Sequence, residues 1–316
     1  MNFDWLSAYL IFGLFTVVMV IGLALLLHLQ MGLVGIPNFG IVGFWGLGMY
    51  VFGVMLVKID WPWAAPWPFL LSLVAGTVAA GVGGLVVGRA IAHTGTDGVL
   101  VGTLGFATII ALLATTERDL TGGAYGMGGL EFPYDTGSIK ADEGLWLGLV
   151  IVVVAVLLWY VSRVHRSPYG RLLIAIGSNE LLARSLGKPT ARTKLVMFAV
   201  GSAAMGFLGA LYGVIVHFLT PLELGIGITL ATMVSLVVGG SARVWGAVVG
   251  AILVEGFFDI VVQIYLPLPA SWYQQAMPVV REIVLGATLM IVLLFRPLGV
   301  LGDMRRDRLM RSMHGG

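Results

Sequence analysis

From Trp5 to Val57 the chain carries no Asp, Glu, Lys or Arg. At about 1.5 Å per residue, a helix of that length reaches more than twice the roughly 30 Å hydrocarbon core of a bilayer. It must therefore fold back on itself. The place to do so is Gly32-Leu33-Val34-Gly35-Ile36-Pro37-Asn38, where Gly and Pro weaken a helix. This predicts a first helix near 6–28 and a second near 39–57. Met1-Asn2-Phe3-Asp4 lacks the basic region of a cleavable signal peptide, so the first run is read as a retained helix.

Composition shows that the run is not an isolated buried helix. Of 316 residues, 59% are hydrophobic and only 11% charged, whereas a soluble domain carries about 25% charge. So few charged groups cannot build a water-facing surface, and lipid is the expected solvent. The 45 glycines fit helices that approach closely through small residues. The absence of Cys excludes disulfides and thiolate metal sites. Basic and aromatic residues do not interleave in a soluble patch, so nucleic acid is not an expected partner.

Further uncharged runs lie at 69–88, 98–115, 145–162, 195–218 and 225–242. A run at 245–265 has acidic interruptions, and one near 278–295 begins beside Arg281 and Glu282. The expected fold is all-α: one polytopic transmembrane bundle over residues 1–316, with about nine spans. Loop charge tests the count. Segment 162–194 holds Arg163, Arg166, Arg171, Arg184, Lys188, Arg192 and Lys194 against Glu180 alone. By the positive-inside rule it is cytoplasmic. The tail with Arg296, Arg305, Arg306, Arg308 and Arg311 falls on the same side. Segment 116–143 has six acids against Arg118 and Lys140 and faces outward. Trp61, Trp63 and Trp67 form an interfacial belt. Nine spans with the N-terminus outside and the C-terminus cytoplasmic satisfy every side.

Polar residues inside such spans are functional candidates. Glu255, Asp259 and Gln263 recur at i, i+4, i+8 and share a helix face. That face could line a pathway or gate, hold a second subunit, or be satisfied internally. His28, Gln30 and Asn38 flank the first break, and Asn38, following Pro37, is the best pathway candidate among them. His217, Thr220 and Glu223 lie near the outer end of the sixth span. Gly83-Gly84-Leu85-Val86-Val87-Gly88-Arg89 echoes a phosphate loop but lacks its Lys-Ser/Thr ending and a preceding strand, so it reads as a packing face. No metal spacing and no catalytic arrangement is assigned.

The segment Ser167–Gly187 is the most informative. Ser178 or Asn179 can cap a short helix that Gly187 ends, with Leu182, Ala183 and Leu186 on one apolar face. Either a partner's groove or the ends of its own spans could take that face. Here the chain resembles the permeases of branched-chain amino acid ABC importers, the LivM-like type. The resemblance is carried by Ser167-Pro168-Tyr169-Gly170-Arg171, Asn179-Glu180-Leu181-Leu182-Ala183, Leu186-Gly187 and Ala191-Arg192-Thr193-Lys194. Leu120-Thr121-Gly122-Gly123 with Gly126 and Gly129, Gly239-Gly240 with Gly246 and Gly250, and Phe295–Gly302 follow in order. The chain departs from the pattern at Leu182, where the family usually has Ala, and at Ile41, where it often has His.

The resemblance implies a type II importer-like permease of the bacterial or archaeal plasma membrane. In it, segment 162–194 is a coupling loop, with Tyr169, Gly170, Arg171, Asn179, Glu180, Ala183 and Gly187 meeting a separate ATPase. Asn38, Thr121, Gly122, Gly123, Glu255, Asp259 and Gln263 are assigned to the pathway or gate. The implied partners are a homologous sister permease, two ATP-binding subunits that hold ATP and Mg, and a periplasmic or lipid-anchored solute-binding protein. The chain itself holds no cofactor and is not an enzyme. The implied solute is a small polar one, foremost an aliphatic amino acid. Urea, short amides and small carboxylates remain open, as does a proton-coupled carrier using Glu255 and Asp259.

Overall fold

The computed structural model describes residues 4–63, 66–91, 94–134, 136–256, 270–295 and 299–301. Among them are twelve α-helices: α1 Asp4–Leu27, α2 Ile41–Lys58, α3 Trp67–Ala90, α4 Thr96–Thr116, α5 Arg118–Thr121, α6 Ile139–Arg166, α7 Pro168–Ser178, α8 Glu180–Ser185, α9 Thr190–Val216, α10 Ile226–Gly239, α11 Val244–Ala251 and α12 Ala270–Phe295. Six segments are long and apolar enough to cross a membrane: Leu10–Leu33, Ile41–Lys58, Trp67–Ala90, Thr96–Thr116, Ile139–Arg166 and Thr190–Val216. Ile226–Gly239, Val244–Gly256 and Ile283–Val292 are apolar but shorter. The sequence analysis expects about nine spans; six of full length are described.

Helices α1, α2 and α9 are the most buried, and α3, α4 and α6 form a rim. Small residues make the inner contact. Gly76, Ala80, Gly84 and Gly88 recur every fourth residue along one face of α3 and are buried. A Cβ on Gly84 would lie 2.7 Å from Ser202 Cβ on α9. The opposite face shows Val74, Val78, Val82 and Val86 to the surroundings. A Cβ at Gly48 of α2 would land on the Gly206 backbone of α9, and one at Gly76 on the Gly48 carbonyl. Three backbones thus cross at near-contact distance, as small residues permit.

A bridge of two short strands, distant in sequence, closes one end of the bundle. β1, Met127–Gly128, pairs antiparallel with β2, Phe218–Leu219. Residues 299–301 close a corner at the opposite end of α10. Val300 N donates to the Val238 carbonyl at 2.7 Å and Leu301 N to Gly239 at 3.1 Å.

The structure corrects two boundaries. The first helix does not end near 28: it widens into a π-helix over His28–Leu33 and turns only at Gly35, where φ is +74°. Gly32 is therefore not the breaker. It is a contact point, because a Cβ there would lie 2.6 Å from His28 Nδ1 and collide with the Ser241 carbonyl. The last helix begins at Ala270, well before the expected 278. Residues 252–256 also run as π-helix. Asp259 and Gln263 lie outside the described residues, as do Arg296, Arg305, Arg306, Arg308 and Arg311.

Candidate functional site

The segment 162–194 is not a loop but two helices folded onto the end of the bundle. Ser167 caps α7, its Oγ accepting from Gly170 N at 3.0 Å. Asn179 caps α8, its Oδ1 accepting from Leu182 N at 3.0 Å. Gly187 ends α8 at φ +75°, a conformation that favours glycine. Gly170 lets α7 press on the last turn of α6, since a Cβ there would meet the Val164 and His165 carbonyls. Gly177 likewise lies against Leu33 and Val34. So α7 rests directly on the π-helical end of the first span.

Glu180 opens α8 and reaches back to α9. It accepts a hydrogen bond from Lys194 Nζ, and Arg184 Nη2 lies 3.6 Å away on its other oxygen. The hydrogen bond from Lys194 holds the Glu180 carboxyl below the usual carboxylate range, against the opposing effect of partial burial. Glu180 and Lys194 also line a cavity of about 210 Å³ shared with Gly35, Pro37, Thr96 and Phe198. Of the expected apolar face of α8, only Ala183 is buried. Leu181, Leu182 and Leu186 are exposed, at 77%, 59% and 71%. This departs from a single inward face: a six-residue helix offers its base little more than one turn. Tyr169 is also exposed, as is Arg171. The seven expected coupling residues thus all lie on one continuous stretch, from the start of α7 to Gly187.

The expected pathway residues do not. Asn38 is fully buried at the first break. Its Nδ2 donates to Gln30 Oε1 at 2.9 Å, and its Oδ1 accepts from Gly40 N at 2.8 Å. Gln30 Nε2 donates onward to the Phe198 carbonyl at 3.1 Å. Phe39 N donates to Thr103 Oγ1, which sets Asn38 level with Thr103 on α4. Thr121 instead donates to the Ala114 carbonyl near the far end of α4, at 2.8 Å. From 103 to 114 that helix rises about 16 Å. Gly122 and Gly123 form a tight turn there, at φ +79° and +60°. Glu255 is fully buried beyond α11, next to Gly256, which faces Val17 of the first span. These are three separate places.

The Asn38 network ties the first break to α9. Asn38→Leu leaves two buried polar groups without their partner, each costing about 1–3 kcal/mol. The melting temperature in detergent is expected to fall clearly; an unchanged one would show that the network contributes nothing.

Two features were not anticipated from sequence. His28 and His165 stack with centroids 5.5 Å apart. His28 Nδ1 lies 2.8 Å from the Ser241 carbonyl, which can only accept, so the proton sits on Nδ1. The other feature is Lys194 as the partner of Glu180. Its signal was present as a basic residue one helical reversal away.

The whole chain can be compared with known proteins. The family profile described as branched-chain amino acid transport system / permease component matches residues 9–293. The high-affinity branched-chain amino acid transport system permease protein LivM of Escherichia coli (strain K12) is 28% identical over 302 residues, covering 88% of this chain and 67% of that protein. The probable branched-chain amino acid transport permease protein LivM of Methanocaldococcus jannaschii is 22% identical over 342 residues, covering 96% and 95%. The ribose import permease protein RbsC of Haemophilus influenzae is 28% identical over 217 residues, covering 65% and 62%. No solved structure matches the chain. A helical bundle built on small-residue crossings, matched by one family profile over nearly its whole length, has one reading: this chain belongs to the family of permease components of branched-chain amino acid transport systems.

Proposed function

We propose that the chain is the transmembrane half of an ATP-driven importer that moves an aliphatic amino acid by alternating access. The observation that carries this reading is the α7–α8 pair. Leu181, Leu182 and Leu186 are exposed on and just after α8, which Glu180 opens, and Tyr169 is exposed at the start of α7, while the base of the pair rests on the first break and on α9. An exposed apolar helix next to a carboxylate suits the groove of a partner protein. Two ATP-binding subunits are the proposed partners, one per permease. The proposed pore pairs this chain with a homologous sister, and solute arrives on a binding protein. ATP and Mg act on the partner subunits.

The basic residues of 162–194 support a cytoplasmic place for α7 and α8. With six long and three shorter apolar helices as spans, nine crossings put the N-terminus outside and the C-terminus inside. The names of the LivM relatives favour a branched-chain amino acid; RbsC, named for ribose, keeps a sugar as the competing solute.

The test is uptake into vesicles holding the chain, its sister permease, the ATPase subunits and the binding protein. Labelled leucine is expected to accumulate with ATP inside the ATPase compartment and not without it. Ribose accumulating in place of leucine would reassign the solute. Uptake driven by a pH gradient in vesicles lacking the ATPases would replace this reading with a proton-coupled carrier using the buried Glu255.

A further inference from the structure

Glu223 lies in a short 3-10 turn, Pro221–Leu224, directly after β2 at the β1–β2 end of the bundle. Leu224 fixes the turn: it is buried and fills the space beside Gly46 that a Cβ would need. The turn therefore covers the face of α2 that carries Gly46 and, four residues on, Tyr50. Tyr212 of α9 donates to Glu223 Oε2 at 2.9 Å. The Trp45 ring packs on Tyr212 with centroids 4.8 Å apart. The Glu223 carboxylate is close enough to act electrostatically on Tyr50.

The balance of this group is unusual. Glu223 is partly buried, and burial pushes its carboxyl above the usual range against the Tyr212 hydrogen bond. Among the described residues no Lys, Arg or His forms an ion pair with it. Trp45 Nε1 and the Tyr50 hydroxyl are buried, at 1% and 5% exposure. Neither has a hydrogen-bond partner among the described residues. A carboxylate without a cation, backed by three aromatic rings and by the Tyr50 hydroxyl oxygen, which can accept, matches an ammonium group; Trp45 Nε1–H can only donate and contributes its ring alone. The charge would pair with Glu223 while the ring faces add cation–π attraction.

We propose that Glu223, backed by Tyr212, Trp45 and Tyr50, is a receiving site for the primary ammonium group of the solute at the β1–β2 end of the bundle. This rests on the amino-acid reading above and names the residues that recognise the amine. The site lies on the side where that reading places the binding protein, so it is the first polar station solute meets. Tyr212 acts as a positioning residue, holding one carboxylate oxygen and leaving the other for the ligand.

The experiment is binding to the full-length chain in lipid nanodiscs, read by calorimetry. The probes are isoamylamine, which keeps the ammonium and the branched chain, and 4-methylpentanoate, which keeps only the carboxylate and the chain. Isoamylamine is expected to bind and 4-methylpentanoate not to. Glu223→Gln keeps the hydrogen bond from Tyr212 but removes the charge, and should weaken the amine by about tenfold or more. Glu223→Asp keeps the charge one methylene further back, and should retain the preference for amine with reduced affinity. A merely structural glutamate predicts no difference between the Gln variant and the parent. Equal binding of amine and acid by the parent, or unchanged amine affinity in both variants, overturns the site. ATP-driven leucine uptake that persists in Glu223→Gln with parental KM would sink this site and leave the transport reading standing. Failure of the assembled parent importer to take up leucine would sink the transport reading instead.

Discussion

Glu180→Lys is expected to leave the protein folded in the membrane and to stop solute uptake. The folding part follows from where the pair sits. Glu180 is about one-third exposed, and exposed ion pairs contribute only about 0–1 kcal/mol. The substitution sets like charges against Lys194 and Arg184, which α8 can relieve by swinging its free end outward. The functional part is larger. A charged residue central to a protein contact costs about 2 kcal/mol or more when lost, a thirtyfold weakening. In reconstituted vesicles, ATP hydrolysis should no longer respond to solute, and uptake should fall at least about tenfold. Normal solute-stimulated hydrolysis in the variant would remove Glu180 from the coupling surface.

The same pair sets a direction with pH. The folded carboxyl is held low, chiefly by Lys194, so its contribution is complete above the ordinary carboxylate range. It is lost as the pH falls through the lowered value. Detachment of α8 from α9 therefore belongs to acid conditions, and neutral or mildly alkaline pH leaves it docked.

Gly48→Val is expected to damage the fold severely. The position offers no side-chain neighbour that could rotate away: the obstacle is the Gly206 backbone, with Gly76 approaching from α3. Overpacking a well-fitted site costs about 1–3 kcal/mol when side chains can shift, and more when only backbone can. Helices α2, α3 and α9 would have to separate along their length. The expected result is loss of monodisperse protein after detergent extraction. A variant that elutes and melts like the parent would show that the crossing is looser than the geometry implies. Gly105, with open space around it, is the matched control: Gly105→Ala should be silent.

Much of this was readable from residues near one another in sequence. The uncharged runs located the helices because lipid admits little else. Asn179 and Gly187 marked the ends of α8 because caps are local chemistry. The expected coupling residues lie on two consecutive helices and at their ends. What the sequence hid was set by distant contacts. The π turn through Gly32 depends on Ser241, far along the chain. The roles of Gln30 and Asn38 depend on the Phe198 carbonyl. Thr121, Gly122 and Gly123, expected on the pathway, take their turn geometry from a bond to α4 that sequence spacing does not reveal. Glu223 was visible as a polar residue at a helix end, but Trp45 and Tyr212 reach it only through packing. Arg281 and Glu282 shortened the last helix by hydropathy, although charge at that point does not break a helix.

The corner closed by Val300 and Leu301 has a consequence for synthesis. The carbonyls of Val238 and Gly239 end α10 and receive their donors from residues translated long afterwards. While the ribosome is still making α11 and α12, those two acceptors have no such donors. Until the chain beyond α12 has been made, the end of α10 must therefore satisfy these two carbonyls with other donors, such as water.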